Sequence, residues 1–121
     1  MVEQGGKNDL GLLKINNEVI ASIARNAALR VTGVAGIKSS PWSILMDFFN
    51  KGYHRQGISL EFNNGEMRIG ISIIVRYGVT IPEVAVAVQE NVREAIESMT
   101  GLNVADVGVS IGGIYAEQPE N

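Results

Sequence analysis

Apolar residues recur at three- and four-residue intervals in two stretches of the chain and at alternate positions in two others, and this change of period lays out the elements. Val19, Ile20, Ile23, Ala24, Ala27 and Val31 share one side of a helix, while Glu18, Ser22, Arg25, Asn26 and Arg30 fall elsewhere. Asn16 or Asn17 supplies an N-cap and Gly33 a stop, so the first helix is predicted to run to about Val31. In the second, Val84, Ala85, Val88, Val92, Ala95, Ile96 and Met99 keep helical spacing and Glu90, Arg93, Glu94 and Glu97 form the wet face. Thr80-Ile-Pro-Glu83 reads as its capping box with a first-turn proline, and Gly101 as its end.

The strands follow from the other period. Leu10 to Ile15 and Val34 to Lys38 read as short strands, and Gly57 to Phe62 and Glu66 to Tyr77 as a hairpin closed by Asn63-Asn-Gly65, whose residues tolerate positive φ. Leu102 to Tyr115 is a last long strand, whose odd positions Val107, Val109 and Ile111 match the aliphatic pattern of Ile69, Ile71, Ile73 and Val75. These two strands are expected side by side, joined through the second helix by a crossover that is right-handed in about 98% of cases. The expected fold is α+β: a two-layer sandwich with two main helices packed on one face of a small mixed sheet, plus a short aromatic helix in the middle. Residues 10–116 are expected to form one domain between a flexible N-terminus, 1–9, and a flexible C-terminus, 117–121.

The face of the sheet away from the helices reads differently. Gly70, Ser72, Gly108, Ser110 and Gly112 make a nearly flat surface bordered by Ile74 and Ile114. Glycine inside a strand gives up packing and ordering entropy, which points either to close approach by another backbone or to a solvated face that tolerates it. A candidate to cover it is the segment from Pro41 to Arg55, which holds four of the seven aromatic residues of the chain. As a helix it places Trp42, Leu45, Met46, Phe49 and Tyr53 on one side and Ile44 and Phe48 on the other. One reading has it cover the glycine-rich face and close the core. The other leaves Trp42, Ile44, Leu45, Phe48, Phe49 and Tyr53 as a partner interface, with Lys51, His54 and Arg55 beside it to suit an acidic partner or anionic lipid.

Composition narrows the chemistry. With 10 basic against 13 acidic residues the net charge is −3, which disfavours a protein built to neutralise phosphates. There is no cysteine, hence no disulfide, thiolate metal site or thiol nucleophile. His54 is the only histidine, and no glycine pattern for phosphate binding opens a helix after a strand. Gly33-Val-Ala-Gly36 has the spacing of the GxxG loop of KH domains, but it joins a helix to a strand and carries no basic residue. No catalytic residue, metal site, cofactor or nucleic-acid ligand is expected. No N-terminal signal and no run of the roughly 20 apolar residues needed to span a bilayer is present, so the expectation is a cytoplasmic protein.

A family resemblance rests on Gly11-Leu-Leu-Lys-Ile15, Val19-Ile-Ala-Ser-Ile-Ala24 and Val31-Thr-Gly-Val-Ala-Gly-Ile37 in the first half. In the second half it rests on Ile71-Ser-Ile-Ile-Val-Arg-Tyr-Gly78, Ile81-Pro-Glu-Val84, Val88-Gln-Glu-Asn-Val92, Met99-Thr-Gly-Leu-Asn-Val104 and Val107-Gly-Val-Ser-Ile-Gly-Gly-Ile114. In these motifs, in order, the chain resembles the alkaline shock protein, or general envelope stress response, family of mainly Gram-positive bacteria. The resemblance implies a cofactor-free α+β protein linked to envelope stress and homeostasis, often a homo-oligomer, held in some members at the inner face of the membrane by an anchor protein. The leading expectation is therefore a non-catalytic scaffold that self-associates and binds a membrane-associated partner. The alternatives are a protein regulator of a lipid-biosynthesis enzyme and a small-ligand or RNA-binding module.

Overall fold

The computed structural model describes residues 16–38, 53–55 and 57–117, with the backbone alone at 53–55. The elements are α1 (Asn17–Leu29), β1 (Val34–Ile37), β2 (Tyr53–Arg55), β3 (Ile58–Asn63), β4 (Glu66–Arg76), α2 (Ile81–Thr100) and β5 (Val104–Tyr115). The expected strand at residues 10–15 and most of the expected aromatic helix lie outside the described residues. Tyr53 does not continue a helix: with His54 and Arg55 it forms β2, paired antiparallel to β3 through Tyr53↔Leu60.

β4 is the axis of a mixed five-stranded sheet. Along one side it pairs in parallel with β5, and along the other β3 takes its first half and β1 its second, both antiparallel. The two strands do lie side by side, in a register that the structure sets as Ile69↔Val107, Ile71↔Val109 and Ile73↔Ile111. The hairpin between β3 and β4 closes at Asn63↔Glu66, with Asn64 and Gly65 both at positive φ. Both helices lie on the same face of this sheet, α1 against β1 and β3 and α2 against β5, with α1 and α2 in contact. The fold is α+β, as the alternating periods predict.

Met67, Ile69, Ile71, Ile73 and Val75 of β4 all point into the helix layer and are buried against Ile20, Ala24 and Ala28 of α1 and Val84, Val88, Val92 and Ile96 of α2, within one core cluster. Each fully buried aliphatic side chain of this kind contributes about 1.5–3 kcal/mol. Five further sequence expectations need correction. α1 ends at Leu29, not Val31, and its buried face is turned toward Ala21 and Ala28, leaving Val19 exposed. Small alanines let α1 lie close to the sheet and to α2, so area alone does not choose its face. Met99 is 70% exposed because α2 has passed the edge of the core by its last turn. Thr80 makes no side-chain cap bond; α2 starts on the Thr80 carbonyl, which accepts from Val84 N–H at 3.1 Å. Ile114 leaves the glycine face, because an irregularity between Ile111 and Gly113 sets it beside Val75 instead of Ile74.

Candidate functional site

The sheet face without helices is built of cross-strand rows. Glu61, Arg68 and Asp106 form one row, Ser59, Gly70 and Gly108 the next, and Ser72 and Ser110 the one above. Ile74 then lies between Gly36 and Gly113, and Arg76 pairs with Tyr115 at the upper end. A cation thus sits between two carboxylates at one end and beside an aromatic ring at the other, with small side chains between.

Two of the glycines on this face are closely approached by the chain itself, Gly112 more tightly than Gly70. A Cβ at Gly70 would lie 2.6 Å from Ser59 Oγ, and one at Gly112 would lie 2.7 Å from Lys38 Cβ and 2.9 Å from Ser72 Oγ. Lys38, the last described residue after β1, therefore lies across the sheet onto Gly112. Gly70, Ser72 and Gly112 are half-buried, whereas Gly108 and Ser110 are exposed, and the nearest atom to a Cβ at Gly108 is 3.9 Å away. Of the aromatic candidates, Trp42, Ile44, Leu45, Phe48 and Phe49 lie outside the described residues, and Tyr53 is placed on the outermost strand of the β3 side.

The pattern of residues predicts β5 as a long strand with few charges but gives no sign of what covers its outer edge. Glu97 Oε2 accepts from Val104 N–H at 3.0 Å, and Gln89 Nε2 donates to the Val107 carbonyl at 2.9 Å. Two side chains of α2 thus reach over the helix layer to the edge strand. A further exposed cluster, Tyr77, Ile114 and Tyr115, lies where β4 and β5 end, with Tyr77 N–H bonded to the Tyr115 carbonyl at 2.9 Å. Arg76, Tyr77, Tyr115, Ala116 and Glu117 line an open depression there. Among the described residues no group of three or more His, Asp or Glu side chains is placed to hold a metal ion. No helix among them is long and apolar enough to cross a membrane.

The alkaline shock protein 23 family, whose function is cell envelope-related, matches residues 5–116, from before α1 to the end of β5. The chain belongs to this family. It is the family that the sequence motifs resemble. Its relatives include YqhY of Bacillus subtilis, 35% identical over 105 residues that cover 87% of this chain and 78% of that one. YloU of the same organism is 32% identical over 111 residues, 90% of this chain and 92% of that one, and Spy1614 of Streptococcus pyogenes is 29% identical over 108 residues, 86% and 88%. Neither the YqhY nor the YloU name carries an assigned activity. Among solved structures, the C-terminal domain of MamM superposes with a TM-score of 0.50 at 18% identity, over 81% of this chain and 99% of that one, a likeness of fold alone.

Proposed function

We propose that this alkaline shock protein family member is a non-catalytic scaffold of cell-envelope stress response and homeostasis, which self-associates and binds a membrane-associated protein partner. It works in the cytoplasm, at the inner face of the membrane, through that partner. The observation that carries this reading is the use of the polar side chains: Gln89, Asn91, Glu97 and Thr100 are each bonded to backbone groups of the fold. Among the described residues, the surfaces turned outward include a strand edge with a single charge, the exposed Gly108 and Ser110 of the small-residue face, and the Tyr77, Ile114 and Tyr115 cluster. Such surfaces recognise other proteins by shape and burial instead of by chemistry on a substrate.

The partner interface is assigned to Trp42, Ile44, Leu45, Phe48, Phe49 and Tyr53, with Gly70, Ser72, Gly108, Ser110 and Gly112 as the close-packing face. The test is affinity capture of the tagged chain from gently solubilised membranes and from cytosol, beside a Phe48→Asp, Phe49→Asp variant shown to be folded. A membrane protein retained by the unaltered chain and lost by the variant is the expected result. Capture of a soluble lipid-biosynthesis enzyme equally by both would replace the scaffold by a metabolic regulator acting through another face.

A further inference from the structure

Backbone direction decides what the outer edge of β5 can bind. Ser72 N–H bonds to the Gly57 carbonyl, the Ser72 carbonyl accepts from Lys38, and Arg76 N–H bonds to the Gly33 carbonyl. Met67 and Tyr77 instead donate to the Asn103 and Tyr115 carbonyls on the β5 side. Odd-numbered residues of β4 therefore face β5. In the parallel register Ile69↔Val107, Ile71↔Val109 and Ile73↔Ile111, Asp106, Gly108 and Ser110 bond inward and Val107, Val109 and Ile111 turn their N–H and C=O groups outward. Gln89 takes the Val107 carbonyl. Among the described residues, Val109 and Ile111 are left with an edge that no strand covers.

We propose that a second copy of this chain pairs here, β5 against β5, antiparallel about a two-fold axis through Ser110. This rests on the reading that the chain self-associates, and it names the surface. About that axis Val109 of one copy stands opposite Ile111 of the other, so the four outward groups of each copy are satisfied by the same four of its mate, and the capped Val107 is left out. A two-fold interface must be self-complementary in this way. Ser110 then faces Ser110 of the other copy as a non-hydrogen-bonded pair, with Cα atoms about 4.5 Å apart. Gly108 falls opposite Gly112, so neither residue of that pair brings a side chain of its own to the contact.

Charge and exposure favour the same occupant. Asp106 is the one charged residue of β5, and pairing about Ser110 keeps the two copies of it eight residues apart along the strand, about 27 Å and well beyond the Debye length of about 8 Å. On the helix side Val109 is half-buried and Ile111 is 37% exposed although its register partner Ile73 is fully buried. Val86, 50% exposed, lies one turn before Gln89 on the strip of α2 that looks over this edge. An edge of this length without Lys or Pro lacks the usual devices that keep strands apart, and the irregularities at its two ends confine pairing to its middle.

The test uses sedimentation of the full chain over a concentration series together with cysteine scanning, for which the absence of native cysteine is an advantage. The unaltered chain is expected to sediment at twice 13.0 kDa. Ser110→Cys is expected to form a covalent dimer under mild oxidation, since a Cα separation of about 4.5 Å lies within the disulfide range. Ser22→Cys, exposed on α1, is expected to form none. Ile111→Lys should weaken the dimer at least about 30-fold, and if it unfolds the chain the Ser110→Cys result decides alone. A dimer that neither variant touches places the contact on another surface and overturns this inference while leaving self-association standing. A monomer at every concentration overturns both. Open-ended growth without a Ser110 cross-link replaces the two-fold by head-to-tail pairing.

Discussion

Gly57 and Gly65 share nearly the same left-handed backbone, φ 81° and φ 82°, and differ in what surrounds them. A Cβ at Gly65 would meet nothing within 4 Å, whereas one at Gly57 would run into the Lys38 carbonyl oxygen. The reason lies in β4: Ser72 accepts from Lys38 at 2.8 Å and donates to Gly57 at 3.0 Å, so the end of β1 and the start of β3 converge on one residue. Gly65→Ala is expected to cost about 1 kcal/mol, the ordinary penalty for left-handed backbone. Gly57→Ala should cost at least about 2 kcal/mol more, because strain and collision add; urea unfolding midpoints of the two variants separate the cases. Gly65 is legible from the Asn63-Asn-Gly65 turn. The demand on Gly57 is not, since the group it would strike lies 19 residues earlier in the chain.

At the scale of the element, the two helices begin in different ways although both starts look capped in the sequence. Asn16 Oδ1 accepts from Val19 N–H at 2.9 Å, so Asn16→Ala is expected to lose about 1 kcal/mol. Thr80 makes no such bond, and Thr80→Ala is expected to change stability by less than about 0.5 kcal/mol, as for ordinary surface positions. Pro82, at the second helical position, has no N–H, which removes one of the donors that a cap would satisfy. The helices are tied to each other by Asn91, whose Nδ2 donates to the Ala27 carbonyl at 2.7 Å. Asn91→Ala should cost about 1–2 kcal/mol by leaving that carbonyl unpaired. Asn91→Asp should cost more at neutral pH, because it turns a carboxylate toward the same oxygen. Thermal melts at one ionic strength rank the pair. The helical period places Asn91 among the positions flanking the apolar stripe, but nothing local names its partner 64 residues away.

For the whole molecule, β4 is the only strand among those described that is bonded to β5 on one side and to two further strands on the other, and its helix-facing side chains meet both helices in one core. Hydrogen exchange is therefore expected to be slowest at the β4 amides of Ile69, Ile71 and Ile73, which open only with the whole fold. The outward amides of Val109 and Ile111 serve as reporters of assembly: protected in a β5-paired dimer, rapidly exchanging in a monomer. Equal protection of β4 and β2 amides would argue against β4 as the last element to open.

The sequence by itself determined the period of each element, the hairpin turn, the side-by-side pairing of β4 and β5 through the helical crossover, and the family. These are local or repeated along the chain, and a period of two or of 3.6 imposes them wherever the core lies. The tertiary structure alone decided which face of α1 is buried, that β1 and β3 share one side of β4, that Lys38 covers Gly112, and that an irregularity turns Ile114 away from the glycine face. It also decided which backbone groups of β5 point outward and which of them α2 takes. Each of these depends on atoms brought together from distant parts of the chain, where packing and hydrogen-bond direction, not periodicity, set the outcome.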